Sequence, residues 1–411
     1  MPLIFLSTNH HGLSILHTLK QLKTGQLAGI TRLALSENLT HFPLEILTLA
    51  DSLEILDLSN NRLSTLPEEI VQLKKLRIIF ASNNKFEKLP QVLGRCENLE
   101  MIGFKSNVIS YVADDALPIK LRWLILTDNR LVTLPDSLGE RPKLQKLALA
   151  GNNLQSLPKN MHQLHNLELL RISANNLKQC PEQLLDLPKL AWFAFAGNPF
   201  SQSSLHIDSI EHMPSSSYKL QQQLGQGASG VISKASWVTP QANLPNQVAV
   251  KVFKGQVTSD GYPEDELQVC LKVGGHANLV KPLAQVAEQN YLALIMELIP
   301  ENYFNLGLPP SLESCTRDTF KQDFTLTAAQ CSKIITQMHA VFEHLHNNQV
   351  CHGDLYAHNT LIDKDANIIF GDFGAASMYH MLNEHQQTQI KEIERRALNH
   401  FIADMRSLQV D

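Results

Sequence analysis

Cysteine is scarce: Cys96, Cys180, Cys270, Cys315, Cys331 and Cys351 are the six in 411 residues, and no two stand at Cys-x-x-Cys spacing. Scatter of this kind excludes a disulfide framework and the usual zinc-ligand pattern, and it suits reduced thiols in a cytoplasmic protein. No charge of one sign dominates. Lysine and arginine number 35 against 40 acidic residues, a net charge of −5, so the whole chain offers no broad basic footprint for nucleic acid or an anionic membrane. Long apolar runs are missing too. The start, Met1-Pro-Leu-Ile-Phe-Leu-Ser7, lacks the basic region and long apolar core of a secretory signal. The longest later run, Tyr291 to Pro300, carries Glu297 and is about half the ~20 residues a membrane span requires. The expectation is a soluble, cytoplasmic protein without a membrane span, of two or three domains at about 100–200 residues each.

What is present in the first half is self-similarity. Leu53-Glu-Ile-Leu-Asp-Leu-Ser-Asn-Asn61-Arg-Leu-Ser-Thr-Leu-Pro67 recurs, and the asparagines Asn38, Asn61, Asn84, Asn107, Asn129, Asn152, Asn175 and Asn198 follow one another at intervals of 23, 23, 23, 22, 23, 23 and 23. A fixed period of this length marks eight leucine-rich repeats over 30–201, an α/β solenoid in which each unit buries its leucines against its neighbours. Each asparagine is placed to satisfy backbone groups where a strand bends. Pro43, Pro67, Pro90, Pro135, Pro158 and Pro181 are placed to stop the strand and begin the convex return. The repeat at Asn107 lacks the Leu-Pro step, which predicts a locally irregular convex side. Residues 1–29 form the expected N-terminal cap, with a helix over about 10–29 from Leu13, Ile15, Leu16, Leu19 and Leu22.

The position before the second leucine of each repeat reads Ile55, Ile78, Met101, Trp123, Lys146, Leu169 and Trp192, six of seven apolar. This column either extends the core at the strand edge or forms a concave docking stripe for a protein partner or for the protein's own second domain.

A polar, turn-rich linker over 202–217 ends the repeats. Beyond it stand Gly225-Gln-Gly227-Ala-Ser-Gly230-Val231, then Val248-Ala-Val-Lys251, and much later His352-Gly-Asp354-Leu-Tyr-Ala-His-Asn359 and Asp372-Phe-Gly374, with 13 residues from Asn359 to Asp372. In order and spacing these segments resemble the protein-kinase fold, an α+β two-lobed architecture, over 218–411. Together with the repeats, the chain resembles leucine-rich-repeat protein kinases of bacterial type. The resemblance implies ATP and Mg2+ as cofactors. It places Gly225, Gly227, Gly230 and Val231 over the phosphates and Lys251 on the α/β-phosphates. Glu266 is the implied partner of Lys251, with Glu264 the alternative. Glu297 to Ile299 would face the adenine with Met296 behind it. Asp354 would accept or orient the proton of the acceptor hydroxyl, while Asn359 and Asp372 would hold magnesium. Thr327 is read as the N-cap of a helix through His346, and His352 as a packing residue beneath Phe373 rather than a base or ligand.

Departures from the pattern are equally specific. Gly353 stands where many protein kinases carry an arginine that pairs with an activation-loop phosphate. Tyr356 replaces the lysine of serine/threonine kinases, and His358 takes the place where tyrosine kinases often carry arginine. No Ala-Pro-Glu follows Gly374, and Glu394 to Asp404 is the candidate for the next core helix, so a shortened C-lobe with uncovered Leu398, Phe401 and Ile402 is expected. The function read from the sequence is an ATP-dependent phosphotransferase, a serine/threonine protein kinase with a repeat recognition domain. A non-catalytic scaffold with a nucleotide-binding lobe and a small-molecule kinase remain the alternatives.

Overall fold

A computed structural model of the chain describes residues 16–202, 210–227, 229–254, 257–258 and 260–410. Two compact units result: one runs to Leu190 and takes in Asn198–Phe200, the other combines Ala191–Gly197 with the chain from Ser201 onward. The expected linker 202–217 differs from this division, because Ala191–Gly197, still within the repeat period, clusters with the second unit. Residues 203–209 of that linker lie outside the described residues.

In the repeat unit the leucine spacing produces seven three-residue strands, β1 (Arg32–Ala34), β2 (Ile55–Asp57), β3 (Ile78–Phe80), β4 (Met101–Gly103), β5 (Trp123–Ile125), β6 (Lys146–Ala148) and β7 (Leu169–Arg171). They pair parallel and in register, which sets Ile55, Ile78, Met101, Trp123, Lys146 and Leu169 side by side in one row. Leu56, Leu124, Leu147 and Leu170, one position on, have no exposed surface and form the core. The asparagines perform the expected work: Asn129 donates to the carbonyls of Phe104 and Leu126 at 3.0 Å and accepts from the Ile109 amide at 2.9 Å. Asn61, Asn84, Asn107, Asn152, Asn175 and Asn198 bridge successive turns in the same manner, so buried backbone groups find partners. Asn38 differs, being exposed with φ 57°.

All six prolines are N-cap residues of short convex helices, five 3-10 turns and α2 (Glu182–Leu185). Among the described residues no helix stands between β4 and β5, the irregularity foretold by the missing Leu-Pro step. The cap helix is shorter than expected. It is α1 (Leu19–Lys23), started by a Thr18 capping box with Gln21, and residues 1–15, including Leu13 and Ile15, lie outside the described residues. Ile78, Met101, Trp123 and Leu169 are buried, Ile55 and Lys146 half-buried, so the row is not an open docking stripe. Lys146 lies over the Trp123 ring, 4.7 Å from its centroid.

The second unit begins with β8 (Trp192–Ala194). Next in the chain is a six-stranded sheet in the order β10-β11-β12-β14-β13-β9, from β9 (Glu211–His212), β10 (Tyr218–Gln226), β11 (Gly230–Trp237), β12 (Gln247–Phe253), β13 (Pro282–Glu288) and β14 (Tyr291–Glu297). Strand alternation sorts β12 between two cores. Val248 and Val250 join Tyr218, Ala284 and Ile295 on one face, while Ala249 packs on the other with Leu267 and Leu271 of α3 (Pro263–Val273). Lys251, two positions from Ala249, therefore faces α3.

A helical lobe holds the two-residue strands β15 (Phe304–Asn305) and β16 (Leu326–Thr327), then α4 (Ala328–Asn347), whose N-cap is Thr327 in a capping box with Gln330. After β17 (Val350–Cys351) comes the hairpin β18 (Thr360–Ile362) and β19 (Ile368–Phe370), turning at Ala366 with φ 58°. β20 (Ser377–Met378) pairs with β17, and α5 (Glu384–Ser407) leads to β21 (Gln409–Val410). α5 packs on α4, β8 and β17. Leu398 and Phe401 are buried, and Ile402 is half-buried. The expectation that these residues lie uncovered is corrected for Leu398 and Phe401, which are buried on a helix that packs against α4, β8 and β17.

Candidate active site

The glycine-rich segment is a hairpin. Gln226 pairs with Val231 and Gly225 with Ile232, and the Gly227 amide donates to the Gly230 carbonyl at 2.9 Å. Gly230 is required by the sheet itself, since a Cβ there would lie 2.5 Å from the Val252 carbonyl oxygen. Gly227 and Gly230 line a cleft together with Lys251, Glu266, Met296 and Asp372, whereas Gly225 and Val231 do not line it. A second cleft, lined by Ala249, Glu297, Ile299 and Leu361, shares Ile232 and Met296 with the first. The Glu297 amide is already bonded to the Lys281 carbonyl.

Lys251 is buried and ion-paired with Glu266 on α3, while Glu264 is exposed. Burial alone would lower the lysine pKa; the charges of Glu266 and Asp372 outweigh it and hold it above its ordinary value. Asp372 has φ 62°, a strained conformation of the sort that persists where surrounding structure enforces it. Burial pushes its carboxyl up to about 6; Lys251 opposes this, and the charges of Glu266, Asp354 and Asp260 add to it. Asn359 donates its amide to Asp354 Oδ2 at 2.9 Å and to the Asp354 carbonyl at 3.1 Å. Its NH2 group is thus spent on Asp354, and its oxygen is the atom left for a cation. The His352 ring lies 5.1 Å from Phe373 and 4.1 Å from Phe370, with Nε2 bonded to the Gly371 carbonyl, as the packing reading requires.

Three supports escaped the sequence reading. Glu394 on α5 is buried and accepts from the His352 and Gly353 amides, each at 2.9 Å. The signal was a lone carboxylate inside the apolar stripe Ile390, Ile393, Ala397, Leu398 and Phe401. His358 is paired through Nδ1 with Asp318 at 2.6 Å, and Asp318 also accepts from the Ala357 amide. Tyr356 lies flat against Trp192, centroids 5.0 Å apart and planes within 5°. No local pattern announces these last two, because their partners are 40 and 164 residues away in sequence.

Residues 218–393 match the family of the protein kinase domain, and residues 52–73 and 119–177 match leucine-rich-repeat families. The chain joins N-terminal leucine-rich repeats to a protein kinase domain. It is 25% identical over 174 residues to fibroblast growth factor receptor 1 of Xenopus laevis, covering 40% of this chain and 21% of that protein. It is 29% identical over 176 residues to a probable L-type lectin-domain containing receptor kinase of Arabidopsis thaliana, covering 42% and 24%. A probable serine/threonine-protein kinase of Dictyostelium discoideum is 30% identical over 189 residues, covering 44% and 34%. The chain thus spans about a fifth to a third of the length of these curated relatives.

A kinase domain implies ATP and a divalent cation, and the residues present fit both. Asp372, Asp354 and the Asn359 oxygen are hard donors of the type such cations take. The raised Asp372 carboxyl and the neighbouring Asp260 and Glu266 leave an excess of negative charge there. Among the described residues no helix is long and apolar enough to cross a membrane.

Proposed function

We propose that the protein is an ATP- and magnesium-dependent phosphotransferase acting on serine or threonine hydroxyls. The observation that carries this reading is the cleft that Asp372 and the Lys251–Glu266 pair line together, with Asp354, held by Asn359, near enough that its charge acts on Asp372. Lys251 would hold the α/β-phosphates, with Glu266 fixing the ammonium in place. The Glu297 carbonyl and the Ile299 backbone would take the adenine edge. Asp354, oriented by Asn359, would accept the proton of the acceptor hydroxyl as the phosphoryl group transfers. Magnesium at Asn359 and Asp372 would neutralise charge on the phosphates.

The repeats are the proposed site of a protein partner. Trp192 is not part of that surface, since it is buried against Tyr356 and His400; a partner using Ile55, Ile78, Met101, Trp123 and Leu169 would have to uncover the buried members. A cytoplasmic setting is supported by the scattered free thiols. The bacterial type rests on the sequence resemblance alone.

The test is transfer of γ-phosphate by the full chain with magnesium, across protein, peptide and small hydroxyl acceptors. Asp354→Asn is expected to lower turnover about 10²- to 10⁴-fold, the usual worth of a positioned base. Equal turnover in the two proteins overturns the assignment. Transfer only to small hydroxyl compounds makes the protein a small-molecule kinase, and nucleotide binding without transfer makes it a scaffold.

A further inference from the structure

The segment Trp192–Gly197 touches three parts of the kinase centre at once. Trp192 Nε1 donates to the Leu355 carbonyl at 2.9 Å, one residue beyond Asp354, and its ring is sandwiched between Tyr356 and His400 at 5.0 and 5.4 Å. The amides of Phe195 and Ala196 both donate to Ser377 Oγ at 3.0 Å, five residues beyond Asp372. Gly197, with φ +73°, sits so close to α3 that a Cβ would lie 2.7 Å from Asp265 Oδ2 and 2.8 Å from the Tyr262 ring, next to Glu266. The Phe193 carbonyl fills the space beside residue 353, where a Cβ would lie 2.7 Å away. Trp192, Phe193, Ala194, Phe195 and Ser377 are all buried, so these bonds form away from competing water.

We infer that Trp192–Gly197 is a positioning strap, which fixes the catalytic loop, the segment after Asp372 and the start of α3 together. The inference rests on the phosphotransfer reading and deepens it: the strap does by packing what an arginine at 353 and a phosphate on the segment after Asp372 would do by charge, and it leaves no room for that arginine. Trp192 and Ser377 are positioning residues that act through Leu355, Tyr356 and the Phe195 and Ala196 amides, without touching substrate.

The test uses the full chain and the variants Trp192→Phe, which keeps a stacked ring and loses the N–H donor, and Ser377→Ala. Amide hydrogen exchange is measured beside phosphotransfer kinetics and thermal unfolding. Exchange over 353–359 and 375–378 is expected to rise about tenfold, which is about 1.4 kcal/mol, the upper worth of one hydrogen bond. Exchange in α4 and β12 stays within about twofold. The kcat is expected to fall about tenfold while KM for ATP stays within about twofold, a split that a general loss of stability does not produce. Unchanged exchange, or a rise spread evenly over the unit, overturns the strap, as does local loosening with unchanged kcat. Should the wild-type chain transfer no phosphate, the phosphotransfer reading fails by itself, and local exchange still decides whether the strap exists.

Discussion

Replacing Gly353 with alanine tests a close approach in the kinase centre. Gly353 has φ +68°, and an added Cβ would meet two backbone carbonyl oxygens, Phe193 O at 2.7 Å and Ala375 O at 2.8 Å. A side chain held at positive φ costs about 1–3 kcal/mol, and overpacking costs typically ~1–3 kcal/mol more. Gly274 in the same unit serves as the comparison, since with φ +65° and ψ −152° and nothing within 4 Å of its Cβ position it carries backbone strain without a clash. Gly274→Ala is therefore expected to cost about 2 kcal/mol from backbone strain alone, and Gly353→Ala about 4 kcal/mol with the clash added. At roughly 2–4 °C per kcal/mol for a unit of this size, the midpoints fall by about 6 °C and about 12 °C. Calorimetry on the full chain reads both shifts in the transition of the second unit. Equal shifts would refute the reasoning, since the carbonyls would then give way freely and the Phe193 strand would not be fixed against the loop.

Two further predictions concern buried charge. Glu266→Gln leaves Lys251 with only the charge of Asp372 nearby and is expected to cost about 3 kcal/mol, at the low end for breaking a buried pair; the double variant with Lys251→Met should cost less than the sum, and additive denaturant unfolding energies would count against the pair. Burial, helped by the charge of Glu264, raises the Asp265 carboxyl from 3.8 to about 6; the folded state therefore holds that proton more tightly than the unfolded state, and the group's contribution to stability declines as pH rises from about 4 through 6. Asp265→Asn should accordingly be more stable than wild type by about 3 kcal/mol at pH 7, with the gap closing at pH 4, and a gap independent of pH would count against the buried-charge account.

Local periodicity and motif spacing carried most of the architecture. The 23-residue clock set the strand row, because each asparagine after Asn38 bonds backbone about 20 to 26 residues away within adjoining repeats, and such bonds recur with the repeat. The Lys251–Glu266 pairing was legible through the resemblance to protein kinases, which implies a lysine at the end of Val248-Ala-Val and a glutamate partner in the helix that follows, and the structure pairs the two. What stayed hidden depends on contacts between segments distant in sequence. Whether Trp192 extends a core or docks a partner cannot be read from a column of apolar residues; the structure shows it stacked on Tyr356, a residue whose departure from the kinase pattern has no local link to the repeats. The same holds for His358 and Asp318, where a position expected to carry a cation toward phosphate holds an imidazole bonded to a carboxylate.

Gly197 shows how two such constraints converge on one residue. Its positive φ belongs to the repeat: the position before each ladder asparagine has φ between 52° and 59° at Asn60, Asn83, Ser106, Asp128 and Ala174, and 70° at Gly151. That conformation by itself accepts asparagine or aspartate, whose short polar side chains tolerate it. The repeat therefore does not demand glycine at 197. The demand comes from α3, where Asp265 and Tyr262 occupy the place of a Cβ. A residue that looks like one more beat of the period is thus fixed by the helix that carries Glu266. Gly353 is its counterpart in the catalytic loop, where the Phe193 carbonyl sets the same limit. Each glycine removes a side chain so that Trp192–Gly197 can lie close against the kinase centre, Gly353 against the Phe193 carbonyl and Gly197 against the Asp265 and Tyr262 side chains, with the Leu355 and Ser377 hydrogen bonds closed between them.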